Sequence, residues 1–440
     1  MLSHSTNTST KRQRIAELAK QKPEMAFTSL NHLLDLDLLR EAFSRTPKDK
    51  APGVDGQTYA DYAANLEVNL QSLLARVKSG TYHAPPVRRV HIAKGTGNET
   101  RPIGIPTLED KVLQRAVLML LEPLYEPLFH AGSYGFRPGR SAHQALERLW
   151  KQLMDSTGGW LLDVDIRKFF DTLDHGHLQA LLRHRVRDGV LLRLIGKWLN
   201  AGVLEDGELS HPDEGTPQGG VISPLLANIY LHYVLDAWLE EAVKPRIGGR
   251  VFLIRYADDF VLGFTSEADA RRLLELLPQR FAKYGLTIHP DKTRLVRFRP
   301  GPVGRNVSDS PQPGTFDFLG FTHYWARSKK GRWVVKRKTA TNRFTRAIKK
   351  ISEWCRFHRH TPLSEQHTTL SSKLRGHFQY YGITGNSHAL SAFRHFVTHV
   401  WKNWLSRRNR ERSWTWSDHC RMLQRYPLPP AIAVHSTYRP

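Results

Sequence analysis

The apolar positions of residues 250–264 form two short runs on either side of an adjacent pair of acids, Asp258 and Asp259. Each run is too short for a stable helix and is rich in strand-forming residues. The pattern therefore predicts a β-hairpin with both carboxylates at its tight turn. Carboxylates between buried strands are costly unless a positive group meets them, so a divalent cation is one interpretation and a solvated Asp-Asp turn is the other.

A second apolar segment that ends in acid precedes this hairpin. Residues 160–166 predict a strand in which Asp163 and Asp165, two positions apart, share one face, so that either acid could be a metal ligand. The middle of the chain reads strand, helices, strand, strand, helix, strand, the order of a ferredoxin-like split βαβ unit. In that topology the first strand lies beside the hairpin, and Asp165 can meet Asp258 and Asp259.

Helical spacing of leucines and other apolar residues predicts helices at residues 26–47 and 59–77. Thr107 begins a capping-box pattern before a third helix, and a further helix is expected from Ser223 to about Val243. Another helix is expected to begin at Ser266, after the acidic hairpin. Residues 1–25 are polar and are expected to be flexible. Helices and strands are thus expected to mix in a fold of the α+β class.

Residues 87–106 predict a second hairpin, which is basic. Its first limb alternates up to Lys94, two glycines make the turn, and Arg101 lies on the returning limb. Such a hairpin could fold over a phosphate chain. In isolation, a solvated edge ribbon is the simpler interpretation.

Composition narrows the class of protein. The 440 residues are 40% hydrophobic and contain no apolar run of about 18 residues, so no transmembrane helix and no membrane partner are expected. The N-terminus lacks the apolar core of a signal peptide, which suggests a cytoplasmic protein. Cys355 and Cys420 are far apart, which excludes a disulfide framework and a cysteine-based zinc site.

The net charge of +24 predicts a polyanionic partner, most simply nucleic acid. From Arg327 onward 24 Lys+Arg face 4 Asp+Glu, a net +20, so the rest of the chain supplies about +4. Tryptophans are interleaved with these cations, a combination that suits RNA phosphates and unpaired bases, although most of the tryptophans are expected in a helical core. The candidate RNA-binding residues of this part are Lys329, Lys330, Arg332, Lys336, Arg337, Lys338, Arg343, Arg346, Lys349 and Lys350.

Six motifs occur in a fixed order: RPIGIPT at 101–107, YGFRP at 134–138, DIRKFFD at 165–171, PQGGVISP at 217–224, YADDF at 256–260 and FLGF at 318–321. With them the chain resembles bacterial group II intron-encoded reverse transcriptase–maturases. The resemblance implies a right-hand polymerase with fingers, a ferredoxin-like palm and a helical thumb or maturase domain. The implied domains are an N-terminal extension (1–74), fingers and palm (75–324) and a basic thumb (325–440).

The resemblance also implies roles for single residues. Asp165, Asp258 and Asp259 would hold two Mg²⁺ ions, with Asp259 the weaker ligand and the carbonyl of Ile166 adding an oxygen. Arg137 would contact the template or stabilise the fingers.

Five further residues match positions around the incoming nucleotide. Lys94 and Arg101 would clamp the triphosphate, and Phe170 would be the steric gate that excludes a ribose 2′-hydroxyl. Gln218 would lie beneath the nucleotide. Lys292 is a candidate proton donor to pyrophosphate, with an ordinary surface lysine as the alternative.

The expected function is that of an RNA-directed DNA polymerase of a group II intron. It would also act as a maturase that binds intron RNA to assist splicing and retromobility by target-primed cDNA synthesis. Its expected partners are intron RNA, an RNA template with a DNA primer, and dNTPs. The alternatives are a domesticated antiviral reverse transcriptase and an RNA-binding splicing cofactor with little polymerase activity. No paired cysteines of an HNH endonuclease are present, so an endonuclease domain is not expected.

Overall fold

The computed structural model of the chain describes residues 3–93, 100–205, 207–210, 215, 219–301, 313–408 and 414–435, without the side chains of residues 3–11 and 93. The chain divides into two compact units. The first comprises Met1–Arg148 and Leu161–Leu295, and the second comprises Leu149–Trp160 and Val296–Pro440. The first 74 residues therefore belong to the first unit, and the second unit begins earlier than the predicted boundary at residue 325.

The α-helices of the described residues are α1 (Ser3–Gln21), α2 (Leu36–Ser44), α3 (Tyr59–Ala64), α4 (Leu66–Ser79), α5 (Leu108–Tyr125), α6 (Ala142–Asp155), α7 (His175–Arg183), α8 (Gly189–Leu199), α9 (Ser223–Leu231), α10 (Glu267–Ala282), α11 (Thr341–Phe357), α12 (Leu363–Tyr381), α13 (Ser387–Leu405) and α14 (Trp416–Arg425). Several begin at the side-chain caps that the sequence predicts. Thr107 accepts from the Asp110 amide, and Ser266 accepts from the Asp269 amide.

The strands of the described residues are β1 (Val87–Ala93), β2 (Thr100–Ile105), β3 (Gly159–Val164), β4 (Val203–Glu205), β5 (Glu208–Ser210), β6 (Val251–Tyr256), β7 (Asp259–Phe264), β8 (Arg294–Phe298), β9 (Phe316–Phe318), β10 (Phe321–Arg327) and β11 (Trp333–Thr339). They form sheets with the orders β2-β1-β4-β5, β6-β7-β3-β8 and β11-β10-β9. Helices and sheets thus mix as expected of an α+β protein. None of the helices in the described ranges combines the length and apolar content that a bilayer crossing needs.

Both predicted hairpins form. Strands β1 and β2 pair antiparallel, as do β6 and β7. Strand β7 is buried at every position after Asp259, which explains its unbroken apolar run. Strand β3 lies beside β7 in the sheet, which is the neighbour that the ferredoxin-like order predicts. Strand β3 and the acidic hairpin therefore belong to one sheet.

Three helix predictions need correction. Residues 1–25, expected to be flexible, contain the 19-residue helix α1. The helix expected over residues 26–47 is interrupted and regular only from Leu36 to Ser44, because Asp35 caps it by accepting from the Leu38 amide. The helix expected to end near Val243 leaves the α-helical geometry after Leu231 and includes two π-helical segments.

The second unit has its own helical core. Trp401 of α13 is fully buried, and its indole donates to Gln366 of α12 at 2.8 Å. Leu374, Phe378 and Phe393 pack around it, and Trp404 is half-buried at the edge. Most tryptophans of this unit are therefore packing residues, as the sequence suggests, whereas Trp416 is exposed.

Candidate active site

The turn between β6 and β7 carries both predicted acids. Tyr256 pairs with Asp259 across the strands, so Ala257 and Asp258 form the two-residue connection. Ala257 has a left-handed backbone, with a φ of 58°. Non-glycine residues rarely adopt this conformation, and those that do cluster at functional sites. The turn places Asp258 at its tip and Asp259 at the first position of β7.

Gly135 belongs to the basic loop of residues 133–141, which contains the YGFRP motif, and lies directly against this turn. A Cβ placed on Gly135 would lie 2.3 Å from the backbone nitrogen of Ala257, so the close approach requires glycine. The loop is tied to β6 by two backbone hydrogen bonds of 2.8 Å: Tyr134 N donates to the Arg255 carbonyl, and Arg255 N donates to the Gly132 carbonyl. The loop therefore supports the acidic turn from one side.

A buried ion pair lies behind the turn. Arg255 donates to both carboxylate oxygens of Asp236, at 2.9 and 2.6 Å, and both side chains are fully buried. The Arg255 guanidinium also donates to Asn228 Oδ1 at 2.9 Å and to the Ala257 carbonyl at 3.1 Å. Asn228 in turn donates to the Gly135 carbonyl at 2.8 Å. One guanidinium thus connects β6, α9 and the turn.

Sequence reasoning did not identify Arg255, Asp236 or Asn228. The sequence does contain a signal for Arg255, because a charged residue inside an apolar strand must find a buried partner. Its partner Asp236 lies 19 residues earlier, in a segment expected to be a regular helix. Spacing alone could not have selected that partner.

Asp165 follows the last residue of β3. Its carbonyl accepts from the His289 amide at 2.8 Å, and the next residue, Ile166, forms an isolated antiparallel bridge with Ile288. Ile166 is buried. The segment after α10 therefore fixes the backbone at Asp165 from the side of the sheet edge.

Asp165 and Asp258 lie close enough to repel each other. Burial is the main reason that the pKa of Asp258 is raised above its ordinary value, and the charge of Asp165 raises this pKa further. The charge of Arg101 acts in the opposite direction and lowers the pKa of Asp258. The structure therefore gathers two of the predicted acids and one predicted phosphate-clamping residue in one electrostatic environment.

Lys292 Nζ lies 3.1 Å from Asp165 Oδ2. The lysine side chain is 55% exposed and the aspartate 35%, so the pair faces solvent. Arg294 Nε lies 3.2 Å from Asp163 Oδ2. The surroundings of the two acids differ, because Asp163 pairs with Arg294, whereas Asp165 pairs with Lys292 and its charge also acts on Asp258.

The proposed ligands are the carboxylates of Asp165, Asp258 and Asp259 and the carbonyl of Ile166. They fit a hard divalent cation, since carboxylate and carbonyl oxygens are the ligands that Mg²⁺ prefers. A cation would also relieve the repulsion between Asp165 and Asp258. In the part of the chain that the structure describes, however, no three His, Cys, Asp or Glu side chains are arranged to hold a metal ion. The Asp165 carboxylate faces Lys292 instead, and Asp259 is exposed.

Phe170 lies in the 3-10 turn Phe169–Asp171, which begins four residues after Asp165, and is half-buried. Its ring stands edge-on to Phe169 at a centroid distance of 5.3 Å, and Phe169 is buried against Tyr230. Gly215 approaches from behind, because a Cβ there would lie 2.9 Å from the Phe170 carbonyl. Packing around Phe169 and the close approach of Gly215 therefore hold Phe170 in place.

The structure describes only some of the other predicted nucleotide-binding residues. Arg101 is exposed at the second position of β2 and pairs with Ile92 across the basic hairpin. Lys94 and Gln218 lie outside the described residues.

Arg137 is buried rather than presented to a nucleic acid. Its guanidinium donates to both carboxylate oxygens of Glu126 and to the carbonyls of His130 and Ser133. Of the two roles considered for Arg137, this geometry supports stabilisation of the loop and not template contact.

The candidate RNA-binding residues of the second unit lie on β10–β11 and on α11. Arg337 needs correction, because it is 5% exposed in β11 and cannot face an RNA. Lys338, by contrast, is exposed and lies 5.5 Å from the ring centre of Tyr324. The other candidates are exposed or half-buried: Lys329, Lys330, Arg332, Lys336, Arg343, Arg346, Lys349 and Lys350.

Residues 92–323 match the family described as reverse transcriptase (RNA-dependent DNA polymerase). Protein YkfC of Escherichia coli is 36% identical over 329 residues, which cover 66% of this chain and 84% of YkfC. Group II intron-encoded protein LtrA of Lactococcus lactis is 39% identical over 223 residues, which cover 50% of this chain and 37% of LtrA.

A plant protein is also similar. Nuclear intron maturase 2, mitochondrial, of Arabidopsis thaliana is 30% identical over 176 residues, 31% of this chain and 24% of that protein. The matched part of the chain contains the acidic hairpin, the Phe170 turn and the basic loop. These findings place the chain in the reverse transcriptase family of RNA-dependent DNA polymerases, among the group II intron reverse transcriptases and maturases.

Proposed function

We propose that the chain synthesises DNA on an RNA template at the site formed by Asp165, Asp258 and Asp259, and that it assists the splicing of a group II intron RNA. The observations that carry the proposal are the sheet order, which sets β3 beside the acidic hairpin, and the charges of Asp165 and Arg101, which act on the pKa of Asp258 in opposite directions. A polymerase site needs that combination, because acids hold cations and an arginine meets the triphosphate.

The right-hand polymerase fold is part of this proposal. The sheet β6-β7-β3-β8 would be the palm, the basic hairpin β1–β2 would belong to the fingers, and the helices α11 to α13 would form the thumb. This assignment explains why the three aspartates of the site lie in the first unit while most of the net positive charge lies in the second.

Asp165, Asp258 and Asp259, with the carbonyl of Ile166, would hold two Mg²⁺ ions. When bound, these ions would promote ionisation of the primer 3′-hydroxyl and neutralise the charge of the triphosphate and the leaving pyrophosphate. Lys292, whose Nζ lies 3.1 Å from Asp165, would give a proton to pyrophosphate once that carboxylate has another partner.

The remaining residues of the site would select and orient the nucleotide. Arg101 and Lys94, which the sequence pattern assigns to opposite limbs of the basic hairpin, would clamp the triphosphate. The packed ring of Phe170 would exclude a ribose 2′-hydroxyl, and Gln218 would lie under the base. The backbone on which Phe170 sits is held by Gly215, which leaves no room for a side chain.

Primer extension tests the polymerase. Purified protein with an RNA template, a DNA primer, dNTPs and Mg²⁺ should extend the primer. Asp258→Asn should abolish extension, because it removes a negative ligand and keeps the side-chain volume. Asp291→Asn is the matched control, since Asp291 is 88% exposed and lies near the site without belonging to it. Extension by Asp258→Asn at the wild-type rate would contradict the assignment.

The maturase activity is separable in the same variant. Asp258→Asn should still promote splicing of the cognate intron at low Mg²⁺, because RNA binding would rest on the basic second unit. Loss of both activities in a variant that binds RNA and melts normally would contradict separability. Splicing without primer extension in the wild type would identify a splicing cofactor with a silent polymerase.

A further inference from the structure

An open groove of about 810 Å³ lies between α13 and α14 of the second unit. The α13 side presents a stripe of side chains at helical spacing, among them His395 and His399. The α14 side presents Trp416 and Cys420, four residues apart and therefore on one face of that helix. Neither stripe belongs to the residues that the sequence suggested for RNA binding.

Four rings form a row along this groove. The ring centres of Phe396 and His395 are 6.1 Å apart, those of His395 and His399 are 4.0 Å apart, and those of His399 and Trp416 are 4.6 Å apart. Phe396 is 49% exposed and Trp416 is 43% exposed. Phe396 meets Phe344 edge-on at 5.9 Å, and Trp416 meets His399 and His419. Each ring is therefore held by neighbours, while its exposed part is accessible to a ligand.

The charges around the groove are positive. Lys402 Nζ lies 5.2 Å from the ring centre of Trp416. Arg394 is at the border, where its guanidinium donates to the carbonyls of Leu428 and Pro429. Among the residues that the structure describes, those that line the groove include no carboxylate. The row of rings therefore lies in a surface that attracts anions.

A metal ion does not explain the two adjacent histidines. Within the described ranges, His395, His399 and Cys420 are not part of any three-residue group that could hold a metal. An acidic peptide would use the cations but not a row of flat rings. Unpaired nucleotides use both, because every base has a face that can stack on an aromatic ring and every nucleotide carries a phosphate.

We propose that this groove binds unpaired RNA nucleotides, with bases stacked on Trp416 and Phe396 and phosphates near Lys402. The inference rests on the proposed function only in taking RNA as the anion. Duplex RNA should not use the groove, because its bases are already stacked on one another.

Equilibrium binding of a short single-stranded RNA to the full chain tests this inference, without dNTPs or divalent cations so that the result is independent of polymerase activity. Trp416→Ala and Phe396→Ala should each weaken binding roughly 5- to 100-fold, the loss expected for one stacked base. Trp416→Phe should restore most of the affinity. Phe357→Ala is the matched control, because Phe357 is 77% exposed on α11, beside Arg356 and away from the groove, and it should bind as the wild type does.

Binding of a duplex of the same length should change little in all these variants. Unchanged single-strand affinity in both alanine variants would overturn the inference, and so would an equal loss for single strand and duplex. If both alanine variants bind RNA as the wild type does and the groove binds an acidic peptide, the groove is assigned to a protein partner. Primer extension is measured separately, so a groove that fails this test leaves the polymerase assignment intact.

Discussion

At the residue scale, the charged side chain of Asp258 destabilises the folded state, and a bound cation would remove this destabilisation. Its pKa is raised by burial and by the charge of Asp165. A carboxyl group with a raised pKa in the folded state destabilises that state above this pKa, and the effect disappears below the pKa of the unfolded chain, about 4.

Asp258→Asn should therefore melt at a higher temperature than the wild type at pH 7 in metal-free buffer. The difference should shrink as the pH falls and should vanish well below about 4, where the carboxyl group is protonated in both states. It should also shrink when Mg²⁺ is added, because only the wild type gains a bound cation. Melting curves over this pH range measure both trends, and Asp291→Asn is the control. A variant that melts below the wild type at neutral pH would show that the turn needs the carboxylate for folding.

Phe170 gives a second prediction at the same scale. Phe170→Val removes most of the ring and should open space for a ribose 2′-hydroxyl, so incorporation of ribonucleotides should rise relative to dNTPs. Phe170→Tyr keeps the ring and should keep the discrimination. Single-nucleotide extension with each nucleotide class gives the ratio. An unchanged ratio in Phe170→Val would remove Phe170 from the role of steric gate.

At the element scale, the hairpin turn depends on the buried pair of Arg255 and Asp236. Removing one partner leaves a buried charge without its counter-ion, so Asp236→Leu should cost roughly 3–5 kcal/mol of stability. Replacing both partners by apolar residues of similar size often restores stability. The double variant Arg255→Met, Asp236→Leu should therefore recover much of the loss in melting temperature.

Activity in that double variant separates support of the turn from general stability. It lacks the hydrogen bonds from the guanidinium to Asn228 and to the Ala257 carbonyl. We expect the rate of primer extension to stay below the wild-type rate even where the melting temperature recovers, with KM for dNTPs less affected than kcat. A recovered protein with the wild-type kcat would mean that the pair serves folding alone.

At the scale of the whole molecule, the uneven charge predicts how RNA binding responds to salt. Each phosphate contact that releases counterions contributes a slope of roughly 0.7–0.9 in log affinity against log salt. Lys349 and Lys350 are exposed on α11, so replacing both by alanine should reduce the slope by up to about 1.4–1.8. Lys283→Ala, an exposed change in the first unit, is the control. Equal slopes in all three proteins would move the RNA contacts away from α11.

The sequence predicted the features that follow local rules. Alternation and turn residues predicted both hairpins, cap residues predicted helix starts at Thr107 and Ser266, and the split βαβ order placed β3 beside β7. Features that depend on distant partners were not predictable. The burial of Arg337 and Arg137 could not be deduced from their basic surroundings, because a guanidinium looks the same in sequence whether it meets a carboxylate or a phosphate.

The left-handed backbone at Ala257 limits how the gene can drift at this codon. Single-nucleotide changes from alanine codons reach valine and threonine, whose branched Cβ is disfavoured at a φ of 58°, and glycine, which adopts that φ freely. Glycine would relieve about 1 kcal/mol of conformational cost while loosening the segment that presents Asp258. Few replacements should therefore be found at position 257. Valine and threonine are disfavoured by the backbone, and glycine makes the turn less rigid.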